Sequence, residues 1–207
     1  TILYFYYHMR AILFPGQGSQ FVGMCSDFYN KFASVKKNFP DAIIIMLDFN
    51  HQLTRSYIYL KQMYPNSNHI LPNKISNIKN LNDLPKGSIL YVELEDLKKL
   101  NEFNINIVTN FFSLGEMKRN TFNNYLKSDF IKNCQTLYFV NRFNSSPFYD
   151  MTYDDPINIF DYKIKKDIFY FDHFPIHQYN VANRKVLERK FFRNASSSYF
   201  EIIWKKN

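Results

Sequence analysis

The chain has 207 residues and a formal charge of +8, with 46% hydrophobic and 19% aromatic residues. That length and apolar content suit one folded domain with a buried core and exclude an intrinsically disordered chain. The basic residues come in scattered pairs (Lys36 and Lys37, Lys98 and Lys99, Lys165 and Lys166, Lys205 and Lys206) with no stripe or arm. A solvated surface is therefore expected, and no nucleic-acid partner.

Cys25 and Cys134 stand far apart and form no CxxC, which points to a reduced, cytoplasmic setting with neither disulfide nor zinc site. No apolar run approaches the ~20 residues that span a bilayer, so no membrane insertion is expected. Thr1–His8 lacks the basic start and cleavage site of a signal peptide and reads as sequence upstream of a start at Met9.

In chain order, Arg10–Phe14 is a short apolar strand ending at Pro15-Gly16. Phe21, Met24, Phe28, Phe32 and Val35 recur at helical spacing and predict a helix over Phe21–Lys37, stopped by Pro40. Ala42–Leu47 is a continuous apolar run, the pattern of a parallel strand covered on both faces. Leu53, Tyr57 and Leu60 predict a helix over Gln52–Tyr64, closed by Pro65, and the Asn-rich stretch Pro72–Lys86 reads as a loop. Strands are expected at Ser88–Glu93 and Ile105–Thr109, with a short helix near Leu94–Leu100 between them. Phe122, Tyr125, Leu126 and Phe130 predict a helix over Thr121–Lys132, followed by a strand at Thr136–Val140. After Pro147 the segments are aromatic and irregular until a final strand at Ser198–Trp204. The alternation predicts an α/β fold, Rossmann-like, with a mostly parallel sheet and a β-rich C-terminal tail.

The sharpest local motif is Phe14-Pro15-Gly16-Gln17-Gly18-Ser19-Gln20. Flanking Gly16 and Gly18 allow a tight turn in which backbone N–H groups converge on negative charge. With Phe21-Val22-Gly23-Met24 and the helix beyond, residues 9–39 resemble the N-terminus of a malonyl-CoA:acyl-carrier-protein acyltransferase. The resemblance implies an oxyanion hole at the backbone of Gln17. The acyltransferase family's Gly-His-Ser-Leu-Gly nucleophile pattern has only a partial counterpart, Phe111-Phe112-Ser113-Leu114-Gly115, which would make Ser113 the nucleophile without its Gly-His. A serine nucleophile needs a positioned base.

The same string belongs to a second pattern. It comprises Leu47-Asp48, Tyr57-Ile58-Tyr59-Leu60, Asn110-Phe111-Phe112-Ser113-Leu114-Gly115-Glu116-Met117, Tyr138-Phe139-Val140-Asn141-Arg142-Phe143 and Tyr199-Phe200-Glu201-Ile202-Ile203-Trp204. In this order the strings resemble the C-terminal two-thirds of a sugar O-methyltransferase, from about Asp41 to Asn207. The chain thus divides into an acyltransferase-like strand–turn–helix fragment, 1–39, and a methyltransferase-like domain, 40–207. This resemblance implies an incomplete class I methyltransferase-like fold, S-adenosylmethionine as cofactor, and a sugar or glycan hydroxyl as acceptor. It places Asp48 against the cofactor's ribose hydroxyls, where a carboxylate near a helix N-terminus would explain it equally well, and Asn110, Ser113 and Glu116 at a strand end that opens on the binding crevice. Ser113 as a helix cap with Glu116 as its capping-box partner would explain the same spacing. Asn141 and Arg142 would face substrate hydroxyls or else a solvent-facing loop entry, and His177, with His173 nearby, would serve as general base unless these are structural or surface histidines. Pro175 between these histidines argues against a helical metal site. Gly16 and Gly18 stand where the cofactor's glycine loop belongs, but Leu13-Phe14-Pro15 lacks the acidic residue expected before it. An acyltransferase fragment or a non-catalytic fusion product is the alternative reading.

Overall fold

The computed structural model describes residues 10–14, 37, 39–145, 155–174 and 199–206. The Gly16–Gly18 turn, the body of the helix expected from Phe21, and His177 lie outside the described residues.

The described strands are β1 (Arg10–Phe14), β2 (Ile43–Asp48), β3 (His69–Ile70), β4 (Ile89–Glu93), β5 (Ile107–Phe111), β6 (Thr136–Arg142), β7 (Asn144–Ser145), β8 (Ile157–Asn158), β9 (Asp167–Phe174) and β10 (Tyr199–Lys205). Eight of them form one sheet in the order β3-β4-β2-β1-β5-β6-β10-β9, and β7 pairs with β8 apart from it. Within the large sheet every pairing is parallel except the two made by β10, which runs against both β6 and β9. The fold is therefore mixed α/β with a mostly parallel sheet. β1 sits at the centre between β2 and β5, so the described sheet is continuous across the 39/40 boundary expected from the sequence.

Both faces of β2 are buried, as its unbroken apolar run requires. Ile44 and Met46 pack with Leu53 and Leu60 of helix α1 (Asn50–Met63) and with Ile89 and Tyr91 of β4. Ile43, Ile45 and Leu47 point the other way, into a larger core that includes Phe122, Phe130, Phe139, Phe200 and Trp204. Burying each such side chain contributes about 1.5–3 kcal/mol. Short helix α2 (Leu97–Leu100) precedes β5, and helices α3 (Arg119–Lys127) and α4 (Asp129–Asn133) follow it on the larger-core side.

Three expectations need correction. The helix expected over Thr121–Lys132 is two helices broken at Ser128, whose backbone is extended. Asn101 Oδ1 accepts from the N–H groups of Asp129 and Phe130, so a distant side chain caps α4 and stabilises the break. The expected loop at Pro72–Lys86 contains 3-10 turns at Pro72–Asn77 and Leu81–Asp83, pinned by buried Ile75 and Leu81. The segment read as irregular after Pro147 contains the eight-residue strand β9. It is exposed through most of its length, so nothing imposes an alternation of apolar and polar residues on it.

Candidate functional site

The strand order reverses at β1: β2, β4 and β3 lie on one side, β5, β6, β10 and β9 on the other. Open α/β sheets bind ligands at such a switch point, outside the carboxyl ends of their strands. At that end of the sheet the parallel strands finish at Phe14, Asp48, Glu93, Phe111 and Arg142.

Asp48 and Glu93 are register neighbours on β2 and β4. Asn50, in the first turn of α1, donates from Nδ2 to Glu93 Oε1 at 2.5 Å. Asp48 is only 6% exposed. Its Oδ1 accepts from the Phe49 N–H at 2.7 Å, and no described residue donates to Oδ2. Burial pushes its carboxyl up to about 6, with the Phe49 N–H pulling the other way. The result is a desolvated carboxylate beside the switch point, with one oxygen that accepts from no described residue.

The second cluster follows β5. Phe112 turns the chain with a φ of 65° and donates its N–H to Val140 O at 2.8 Å. The next residues form a 3-10 turn, Leu114–Glu116, packed against β6, β7 and β8. Two fully buried amides hold this turn. Asn110 Oδ1 accepts from Leu114 N at 3.2 Å and from Asn141 Nδ2 at 3.1 Å. Asn110 Nδ2 donates to Ser113 Oγ at 2.6 Å, and Gly115 N donates to Asn141 Oδ1 at 3.4 Å. Asn110 thus spends most of its hydrogen-bonding capacity on the turn, with one amide hydrogen uncommitted.

The turn delivers Glu116, only 8% exposed. Its Oε1 lies 3.8 Å from Arg142 Nη2 at the end of β6, while Oε2 is buried without a hydrogen-bond partner among the described residues. Burial pushes this carboxyl up to about 7, against the opposing pull of Arg142. Arg142 in turn donates from Nε to Tyr199 Oη at 3.0 Å, and Tyr199 packs edge-on to Phe112 with centroids 4.9 Å apart.

The structure therefore brings Asn110, Ser113, Glu116, Asn141 and Arg142 together, with Asp48 at the same end of the sheet. The capping-box reading of Ser113 and Glu116 is corrected: Ser113 makes no side-chain cap, because its hydroxyl is taken up by Asn110. No described imidazole bonds to Ser113 Oγ, so the base that an acyltransferase serine needs is not among its described partners. His173 stands exposed near the end of β9, its ring 4.8 Å from that of Phe143. Glu93, Phe112 and Tyr199 escaped sequence reasoning as site residues. Only the placing of Glu93 at a strand end could have signalled one of them.

No protein-family model and no curated protein sequence matches the chain. Among solved structures, it is similar to a Galdieria sulphuraria protein assigned as a sarcosine dimethylglycine methyltransferase, with a TM-score of 0.53 and 10% identity. The similarity covers 98% of this chain and 79% of that one. At this identity the likeness is one of fold alone: a Rossmann-like α/β arrangement with a mostly parallel sheet. Neither acyltransferase ancestry for residues 9–39 nor a sugar acceptor receives support from it. Among the described residues no helix is long and apolar enough to cross a membrane.

Proposed function

We propose that the chain transfers a methyl group from S-adenosylmethionine to a hydroxyl of a sugar or glycan. The observation that carries this reading is Asp48: a desolvated carboxylate with one oxygen that accepts from no described residue, at the end of the strand beside the switch point of a methyltransferase-like sheet. A ribose diol fits that group, since two hydroxyl donors replace the water that burial removed. When bound, the cofactor supplies an electrophilic methyl carbon on a sulfonium sulfur.

The remaining work falls to the chain's own residues. Glu116, with a carboxyl near neutrality and Oε2 uncommitted, suits the general base that takes the acceptor's hydroxyl proton. With its proton taken by Glu116, the acceptor's hydroxyl oxygen would be able to receive the methyl group that the bound cofactor would supply. Arg142 favours the ionised form of Glu116 and offers guanidinium N–H groups to a sugar oxygen. Asn110, Ser113 and Asn141 hold the Leu114–Glu116 turn and so position the base. Gly16 and Gly18 are the residues we assign to the cofactor's methionine end, and His177 is the second candidate for the base.

Calorimetric titration of the whole chain with S-adenosylmethionine tests the proposal. Saturable binding that Asp48→Ala abolishes supports it. A folded protein that gives no heat overturns it. Radiolabelled methyl transfer to sugars, set beside sarcosine, then reads the acceptor class. Labelling of sarcosine alone would replace the hydroxyl with an amine acceptor, such as the Galdieria protein's name implies for that protein.

A further inference from the structure

We infer that the end of the sheet opposite the candidate site, together with edge strand β9, docks on an anionic lipid surface. Two of the lysine pairs that are scattered in the sequence, Lys165–Lys166 and Lys205–Lys206, converge here. β6 begins at Thr136, β9 begins at Asp167 and β10 ends at Lys205, all at this end. Around them stand Lys132, Lys165, Lys166, Lys205 and Lys206. A concavity of about 420 Å³ is lined by Ile164, Lys165, Lys166, Asp167 and Lys206, large enough for a phosphate-bearing headgroup. Lys166 donates from Nζ to Lys132 O at 2.5 Å, the carbonyl of a residue near the end of α4. Burial holds the Lys166 ammonium below its ordinary range, against an opposing pull from Cys134, and the neighbouring Lys206 adds a smaller push in the same direction as burial. A bound anion would relieve that crowding of positive charge.

Apolar surface adjoins the charge. Ile168 is 61% exposed and Phe169 65%, followed by exposed Tyr170 and Phe171. Large apolar side chains beside clustered lysines are the pairing that seats a protein at an anionic membrane interface. Two other occupants fit less well. Single-stranded nucleic acid needs open ring faces for stacking. Here Lys205 Nζ covers the Phe169 ring at 3.5 Å, and Phe171 lies at 29° to the Phe200 ring plane. A second copy pairing edge to edge needs a regular strand, and the register of β9 shifts at Phe169, between the partners of Ile203 and Trp204. Such bulges blunt edge pairing. Docked this way, the chain turns Asp48 and Glu116 away from the lipid, toward acceptors in solution.

Flotation of the full chain with vesicles of phosphatidylglycerol in phosphatidylcholine, against phosphatidylcholine alone, tests this inference. The chain is expected to float with the anionic vesicles only, and to be released by salt. Lys165→Glu with Lys206→Glu should weaken binding at least roughly 30-fold, the effect of losing two surface lysines. Phe169→Ser should weaken it at unchanged thermal stability, while Lys74→Glu, on the exposed Pro72–Asn77 turn, leaves it intact. Absence of vesicle binding overturns the inference. So does binding that ignores Phe169→Ser and is competed away by single-stranded RNA, or a dimer that dissociates on Phe169→Ser.

Discussion

Glu116 Oε1 sits 3.8 Å from Arg142 Nη2, while its sister oxygen Oε2 is buried with no described hydrogen-bond partner. The ion pair is too long to be a strong charge-assisted hydrogen bond, so burial outweighs it and the carboxyl rises to about 7. A group poised there can gain a proton and pass it on at neutral pH. If Glu116 is the base, the rate of methyl transfer rises with pH through about 7. Glu116→Gln should remove that limb and lower kcat by roughly 10²–10⁴-fold, with little change in cofactor affinity. A pH–rate profile of the variant that keeps the limb would shift the role to another group, His177 first.

The same carboxyl makes stability depend on pH, with a definite sign. Its folded value lies above the ordinary 4.5, so the folded state binds the proton more tightly than the unfolded chain. The stabilisation is fully present below 4.5 and is lost as pH rises through about 7. Asp48 acts likewise between 3.8 and about 6. Each contributes a fall of about 3 kcal/mol across its window. Urea denaturation at a series of pH values should show unfolding free energy declining over this range, and Glu116→Gln should flatten its upper part. A wild-type curve that rises from pH 5 to 7 would contradict the burial of both groups.

Asp48 separates binding from stability. Asp48→Asn keeps an acceptor for the Phe49 N–H but removes a charge held out of water. It should weaken S-adenosylmethionine binding by roughly 10–100-fold, since hydrogen bonds to a charged group contribute more than those to a neutral one. At pH 7 the unliganded variant should be more stable than the parent by about 2 kcal/mol. Calorimetry and thermal melts on one preparation give both numbers, and a variant that loses stability and affinity together would make Asp48 a structural residue.

How much of this was legible in the sequence follows from what each residue's neighbours impose. β2 and α1 were readable because the apolar run of Ile43–Leu47 and the spacing of Leu53, Tyr57 and Leu60 state their periods locally. The break at Ser128 was not, because the cap that favours it comes from Asn101, remote in sequence. β9 was hidden because an exposed strand obeys no alternation. In the site, Asp48, Asn110, Ser113 and Glu116 could be named from strand ends, but their roles could not. Whether Ser113 caps a helix or receives Asn110 Nδ2 depends on Asn141, which reaches across from β6.

That dependence can be tested. Asn141→Ala removes the donor to Asn110 Oδ1 and the acceptor of the Gly115 N–H, both deep in the fold. It should destabilise by about 1–3 kcal/mol, the cost of disrupting a buried polar network. Because the turn carries Glu116, kcat should fall at unchanged cofactor affinity. Destabilisation without loss of kcat would show that the turn holds its shape unaided.

Phe112 offers the sharpest backbone test. Its φ of 65° is a conformation that a side chain normally disfavours, and it is kept because the N–H bonds Val140 O and the ring packs against Tyr199, Phe174 and Phe111. Phe112→Ala discards the ring contacts and retains the penalty of a Cβ at positive φ. Phe112→Gly discards the same contacts but relieves that penalty, by about 1 kcal/mol. Glycine should therefore be the milder substitution here, reversing the usual order in which alanine is tolerated better within ordered structure. Paired denaturation curves decide the matter: equal stability, or a more stable alanine variant, would mean that the turn before Ser113 carries no backbone strain.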